Sequence, residues 1–126
     1  MAVPTYLLDT CVCIRLLRGG GAPVARRLAA AAPGAIAMSA ISHAELVDGA
    51  ARGRVGALAA LDVLLDQVPV IAFDEAAARA FPTARAARGR LDRLIAAHAL
   101  ALDATLVTHN GRDFRAVPGL RIEDWF

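Results

Sequence analysis

Tyr6-Leu7-Leu8-Asp9-Thr10 is a short apolar run that stops at a carboxylate just before a helical pattern begins. A run of this kind predicts a buried strand that delivers Asp9 to the carboxyl edge of a parallel sheet. In open α/β sheets ligands bind along that edge, because strands end there and helices begin there. Asp9 then has two readings. It is the N-cap of the next helix, a position that favours Asp, or it is an acid of a chemical site.

Outward from this stretch, Val12 to Arg18 has helical periodicity and Gly19-Gly20-Gly21 ends it. Pro23 to Ala32 predicts a second helix, Ala35 to Met38 a second strand, and Ser42 to Ala51 and Ala57 to Gln67 two further helices. Val68 to Phe73 reads as a third strand, and Pro69 places it at a sheet edge. Asp74 caps a helix running to about Arg88, with Pro82 imposing a kink or a break. Leu91 to Leu102 is a helix with Leu91, Ile95, His98 and Leu102 on one face, Thr105 to Thr108 a fourth strand, and Leu120 to Glu123 a fifth. The alternation predicts an α/β class: a three-layer α/β/α domain around a parallel sheet of four to five strands.

The 126 residues suit one domain, 1–126, able to bury a core without disulfides or structural zinc. Hydrophobic residues make up 57% and mean hydropathy is +0.49, yet no apolar run approaches the roughly 20 residues of a membrane helix. The expectation is a soluble protein with no membrane association and with apolar surface to spare for a partner. No basic and apolar leader opens the sequence, so a cytoplasmic location is expected. Cys11 and Cys13 lie two apart in a helix and point to different faces, which disfavours a disulfide or a metal pair, so both read as reduced packing residues. All 14 basic residues are arginine, which suits phosphate partners, but a net charge of +2 does not by itself argue for nucleic acid.

Helices of such a sheet run antiparallel to its strands, so helix N-termini share an edge with strand C-termini. That rule gathers four acids. Asp9 ends strand one, Glu45 lies in the first turn of the helix after strand two, Asp92 opens the helix before strand four, and Asp113 follows strand four. Each has an ordinary alternative: Ser42-His43-Ala44-Glu45 matches a capping box, Asp92 opposes a helix dipole, and Asp113 stabilises a turn. Together, carboxylates in one crevice repel and raise one another's pKa unless a cation is present. Hard oxygen ligands favour magnesium or manganese, and the chemistry suggested is phosphodiester hydrolysis. Thr10 and Thr108 offer hydroxyls and Asn110 a neutral oxygen, with core or turn hydrogen bonding as the alternative for each. His98 reads as a core histidine, while His43 and His109 have no ligand spacing. Arg15, Arg18, Arg85, Arg88, Arg90 and Arg93 are either a phosphate-binding rim or a solvated helical face.

The chain resembles PIN-domain ribonucleases, specifically VapC-type toxins of toxin–antitoxin pairs. The resemblance rests on Tyr6-Leu7-Leu8-Asp9-Thr10, Ser39-Ala40-Ile41-Ser42-His43-Ala44-Glu45-Leu46, Asp92-Arg93-Leu94-Ile95-Ala96-Ala97-His98-Ala99 and Leu106-Val107-Thr108-His109-Asn110 with Asp113-Phe114. It continues into the tail Gly119-Leu120-Arg121-Ile122-Glu123-Asp124-Trp125 and so covers nearly the whole chain in order. It implies a Mg2+- or Mn2+-dependent endoribonuclease that cuts tRNA or rRNA and arrests translation. It also implies Asp9, Glu45, Asp92 and Asp113 as metal-binding catalytic acids, supported by Thr10, Thr108 and Asn110. A homodimer, a VapB-type antitoxin and operator DNA bound only through that antitoxin follow from it too. Two departures stand out. Ala87-Arg88-Gly89-Arg90-Leu91 is a short approach to Asp92, implying an altered rim or a displaced Asp92, and Asn110 stands where some PIN domains carry an acid. The short approach to Asp92 leaves open a second expectation, a PIN-like binding subunit that acts mainly with its antitoxin on operator DNA and cuts weakly or not at all.

Overall fold

Leu7 and Leu8 are both fully buried, on opposite sides of one sheet, as the alternation of side chains along a strand requires. The computed structural model of the chain describes residues 3–54 and 58–126. Their strand, β1 (Tyr6–Leu8), leads into α1 (Thr10–Leu17) and α2 (Ala22–Ala30). β2 (Ile36–Ser39), α3 (Ala40–Ala51), α4 (Leu58–Gln67) and β3 (Val70–Ile71) follow. Next come α5 (Glu75–Arg79), a 3-10 segment Phe81–Ala86, α6 (Arg90–Leu102) and β4 (Thr105–Val107). A 3-10 turn Gly111–Asp113 and β5 (Ile122–Glu123) complete the order.

The five strands form one parallel sheet in the order β3-β2-β1-β4-β5, with β1 at its centre. One face packs Leu7, Ala37 and Leu106 against Ile95, Ala96 and Ala99 of α6 and against Phe114. The other packs Leu8, Met38 and Val107 against Val12 of α1, Leu46 of α3 and Leu61 and Leu64 of α4. The three-layer α/β expectation therefore holds. The alanine bias has a local use, since Ala84, Ala87, Ala96, Ala97 and Ala99 are all buried where α6 and its lead-in segment meet the sheet.

Register fixes what stands at the carboxyl edge. Leu8 is level with Met38 on one side and with Val107 on the other. The next residues, Asp9, Ser39 and Thr108, therefore form a row across β1, β2 and β4, and all three are buried.

Several boundaries differ from the sequence reading. α3 starts at Ala40, because Ser39 Oγ accepts the Ile41 amide at 3.0 Å and is the N-cap. Ser42 is thus inside the helix, the capping box does not form, and Glu45 lies in the second turn rather than the first. β3 shrinks to two residues at the edge, with the Pro69 carbonyl accepting the Met38 amide. The helix from Asp74 stops at Arg79, and the chain continues through Pro82 as a 3-10 segment, a break rather than a kink. Leu91 is 44% exposed, so the buried face of α6 begins at Ile95 and includes His98. The fifth strand is Ile122–Glu123 only, and the expected helix start at Ala57 lies outside the described residues.

Candidate active site

Asp9 takes the capping role and stands buried at the carboxyl edge of the sheet. It is the N-cap of α1, its Oδ1 accepting the Thr10 amide at 2.8 Å. Its Oδ2 accepts the Thr108 hydroxyl at 2.8 Å and the Cys11 thiol at 3.3 Å. Only 4% of the residue is exposed, so this buried carboxylate is held by three donors from two elements. Burial, with Asp9 second, pushes the Cys11 thiol up to about 11. Cys11 is therefore a neutral donor to Asp9 and not a thiolate. Both cysteines are free, as expected, but only Cys13 is fully buried packing.

Glu45 is reached from α1. Thr10 Oγ1 lies 2.7 Å from Glu45 Oε1 and 3.0 Å from Ser42 Oγ. Thr10 has one hydroxyl proton, and the carboxylate is the better acceptor. Ser42, fully buried, then donates in turn to Thr10, so the hydrogen bonds run from Ser42 through Thr10 to Glu45. Burial raises the Glu45 carboxyl, the Thr10 hydrogen bond opposes that shift, and the charges of Asp9 and Asp92 add to it.

Asp92 is in the first turn of α6, whose N-cap is Gly89. Its carboxyl is also raised, by burial first and then by Asp9, with the Gly89 amide opposing and Asp113 adding. A Cβ at Gly89 would stand 3.1 Å from Asp92 Oδ2, so glycine leaves the room in which that carboxylate turns back on its own helix start. Asp113 sits further along. Arg88 Nη1 is 3.6 Å from its Oδ1, and its carbonyl accepts the Arg88 amide at 3.0 Å. Its charge acts on Asp92 and is absent from the influences on Glu45.

The acids thus run along the edge as Glu45, Asp9 and Asp92, with Asp113 beyond. Among the described residues, no three His, Cys, Asp or Glu side chains close to ligand distance around one point. The donor set nevertheless fits a hard divalent cation in kind. It consists of carboxylate and hydroxyl oxygens, the one nearby sulfur stays protonated, and the carboxyls of Glu45 and Asp92 are both raised by burial first and in part by the charge of Asp9.

Thr108 completes the row: it donates to Asp9 and accepts the Asn110 amide at 3.0 Å. Asn110 itself is exposed, and its side chain makes no hydrogen bond among the described residues. His98 is 1% exposed, and its Nδ1 lies 2.8 Å from Ser39 Oγ, tying α6, which carries Asp92, to the cap of α3, which carries Glu45. Among the described residues its Nε2 makes no hydrogen bond. Of the six arginines expected at the rim, four are engaged by the protein. Arg15 stacks on Phe126 at 4.2 Å, Arg18 donates to the Arg54 carbonyl, Arg88 faces Asp113, and Arg93 donates to the Ala87 carbonyl. Arg85 and Arg90 are exposed.

Sequence reasoning missed Ser39, Ser42 and Cys11 as hydroxyl and thiol partners of this edge. Ser39 carried a signal, a cap residue directly after a strand. Ser42 carried a weaker one, a position one helical turn before Glu45.

The PIN domain family model matches residues 6–120. Over 129 residues the chain is 32% identical to the tRNA(fMet)-specific endonuclease VapC of Shigella flexneri, covering 95% of this chain and 97% of that one. It is 31% identical over 130 residues to ribonuclease VapC1 of Haemophilus influenzae strain R2866, with the same coverage. Among solved structures, the DNA-bound VapBC of Salmonella typhimurium superimposes with a TM-score of 0.86 at 30% identity, covering 98% of this chain and 99% of that one.

Proposed function

The chain belongs to the PIN-domain family, and within it we propose that this protein is a VapC-type toxin, a Mg2+- or Mn2+-dependent endoribonuclease that cuts structured RNA. The observation that carries this reading is the edge itself: Glu45 and Asp92 flank the buried Asp9, and the carboxyls of both are raised in part by its charge. Partly buried carboxylates that raise one another in this way cost stability, and a divalent cation would offset that cost. The names of the relatives support RNA, and transfer RNA in particular, as the substrate class. Arrest of translation is the consequence that follows.

Asp9, Glu45, Asp92 and Asp113 are the residues that would hold the ion. Once bound, a divalent ion stabilises charge on the phosphoryl oxygens and lowers the pKa of a water. The protein's own contribution is orientation. Thr108 and Cys11 fix Oδ2 of Asp9, while Ser42 and Thr10 fix Oε1 of Glu45, so neither acid has to be ordered when substrate arrives.

The protein acts as one domain, as a homodimer, with a VapB-type antitoxin as its partner and operator DNA reached through that antitoxin. The DNA-bound VapBC complexes of Salmonella typhimurium and Rickettsia felis among its structural relatives support the antitoxin partner and the operator. A second reading, a binding subunit with little cleavage, is favoured by Asp113 lying against Arg88 and by the open spacing of the acids. One experiment separates the two. Antitoxin-free protein is incubated with total RNA and magnesium beside Asp9→Asn. Cleavage by the wild type alone is expected; equal cutting by both would refute the assignment of Asp9, and no cutting by either would leave the binding-subunit reading standing.

A further inference from the structure

We propose that the cleft beside Thr108, at the carboxyl ends of β4 and β5, is the seat of the RNA backbone flanking the cut. This rests on the ribonuclease reading and deepens it. The cleft has a volume of about 400 Å³ and is lined by Thr108, His109, Asn110, Arg112, Arg115 and Asp124. It adjoins the acidic edge directly, because Thr108, one of its walls, donates to Asp9 at 2.8 Å.

Its charge is the reverse of the edge it borders. Arg112 and Arg115 are three residues apart in one turn, where the Arg115 amide donates to the Gly111 carbonyl at 2.9 Å, so both reach the same cleft. Both are exposed, and among the described residues neither guanidinium has an ion pair or a hydrogen bond. The one acid in the lining, Asp124, already accepts the Phe126 amide at 2.9 Å. The neighbouring arginines, by contrast, are committed: Arg88 faces Asp113, in the same turn as Arg112, and Arg93 is bound to the Ala87 carbonyl. A polyanion crossing a row of carboxylates needs uncommitted cationic forks next to that row, and these two arginines supply them. Asn110, exposed and with its side chain unbonded, lies between them and Thr108 and offers an amide to a base edge or a phosphate.

The test is binding of a fluorescein-labelled 12-nucleotide oligouridylate to the full chain, followed by anisotropy over a range of salt. The variants are Arg112→Ala/Arg115→Ala, Arg112→Lys/Arg115→Lys, and a charge-matched control, Arg52→Ala/Arg79→Ala, at two arginines paired on distant helices. Loss of two phosphate contacts is expected to lower the slope of log K against log salt by about 1.4 in the double alanine variant. The lysine variant is expected to keep the slope and the control to keep the affinity. An unchanged slope in the double alanine variant, or an equal loss in the control, overturns the proposal. So does a decaglutamate peptide that displaces the RNA at equal concentration, since the cleft would then be a seat for acidic peptide. Cleavage assays on the same proteins keep the two readings apart. RNA binding that depends on the arginines without cleavage by wild type defeats the nuclease and spares the cleft, whereas cleavage by wild type with an unchanged slope does the opposite.

Discussion

Thr10→Val tests the hydrogen-bonded run from Ser42 to Glu45 with little change of shape. It removes the donor 2.7 Å from Glu45 Oε1 and the acceptor 3.0 Å from Ser42 Oγ, at a residue only 8% exposed. A hydrogen bond to an ionised group contributes about 1.5–3 kcal/mol. Glu45 is partly open to water, which takes over much of that bond, so the low end applies. The orphaned Ser42 hydroxyl, fully buried, costs about 1–3 kcal/mol. A buried methyl in place of the hydroxyl returns about 0.8 kcal/mol. The net loss expected is about 2 kcal/mol, a Tm lower by about 6–8 °C for a chain of this size. Urea denaturation of Thr10→Val, Ser42→Ala and the double variant reads it. The double variant should be more stable than the two single losses predict, because Ser42→Ala removes the orphan that Thr10→Val creates. The Glu45 carboxyl should also titrate higher in Thr10→Val, since the lost hydrogen bond held it down. Stability within about 0.5 kcal/mol of wild type, or strict additivity of the two substitutions, would refute the direction assigned to these bonds.

Three other perturbations have signs that the structure determines. Glu45 and Asp92 are raised above their ordinary values of 4.5 and 3.8, so the folded state binds their protons more tightly. Their contribution is therefore present below those values and lost as pH rises through the raised ones, and magnesium should flatten that part of a metal-free stability–pH curve; a curve indifferent to magnesium would count against a shared ion site. His98 is lowered from 6.5 by burial, which outweighs the opposing effects of Asp74 and the Ala72 carbonyl, so its contribution is present above 6.5 and lost as pH falls through the lowered value. A His98→Gln variant should lose that acid-side slope, and retention of the slope would assign it elsewhere. Cys11, held up at about 11, should react slowly with iodoacetamide at neutral pH and faster in Asp9→Asn, while the fully buried Cys13 should react only on unfolding; equal rates for Cys11 in both proteins would remove Asp9 as a cause.

The architecture was legible because it rests on local signals that agree. The Leu7-Leu8 run, the glycine stop at Gly19-Gly20-Gly21 and the alternation of elements all point to one parallel sheet, and the placement of acids at its carboxyl edge followed from that. The errors arose where two local signals were equivalent. Ser39 and Ser42 are both good caps, and Ser39 takes the role because it ends β2 and is held by His98, 59 residues away. Leu91 has the right helical spacing, yet α6 starts beyond the covering layer and leaves it 44% exposed. The donors around the acids were invisible for a similar reason. Thr10 meets Ser42 across 32 residues and Thr108 meets Asp9 across 99, and no periodicity encodes such meetings. Asp113 was placed with the other acids, but its pairing with Arg88 depends on a loop conformation that its turn sequence alone does not specify.

The row Asp9, Ser39 and Thr108 makes the acidic edge a reporter of sheet alignment. Sliding β4 by one residue against β1 would bring Val107 or His109 level with Asp9 and withdraw the hydroxyl that Thr108 supplies. Sliding β2 would detach the cap of α3 and, with it, the helix on which Glu45 rides. A chain with β4 misaligned therefore buries Asp9 without the Thr108 hydroxyl and is penalised for doing so. The residues proposed to perform the chemistry thus also act as a proofreading device during folding, rewarding one alignment of the three central strands over its neighbours.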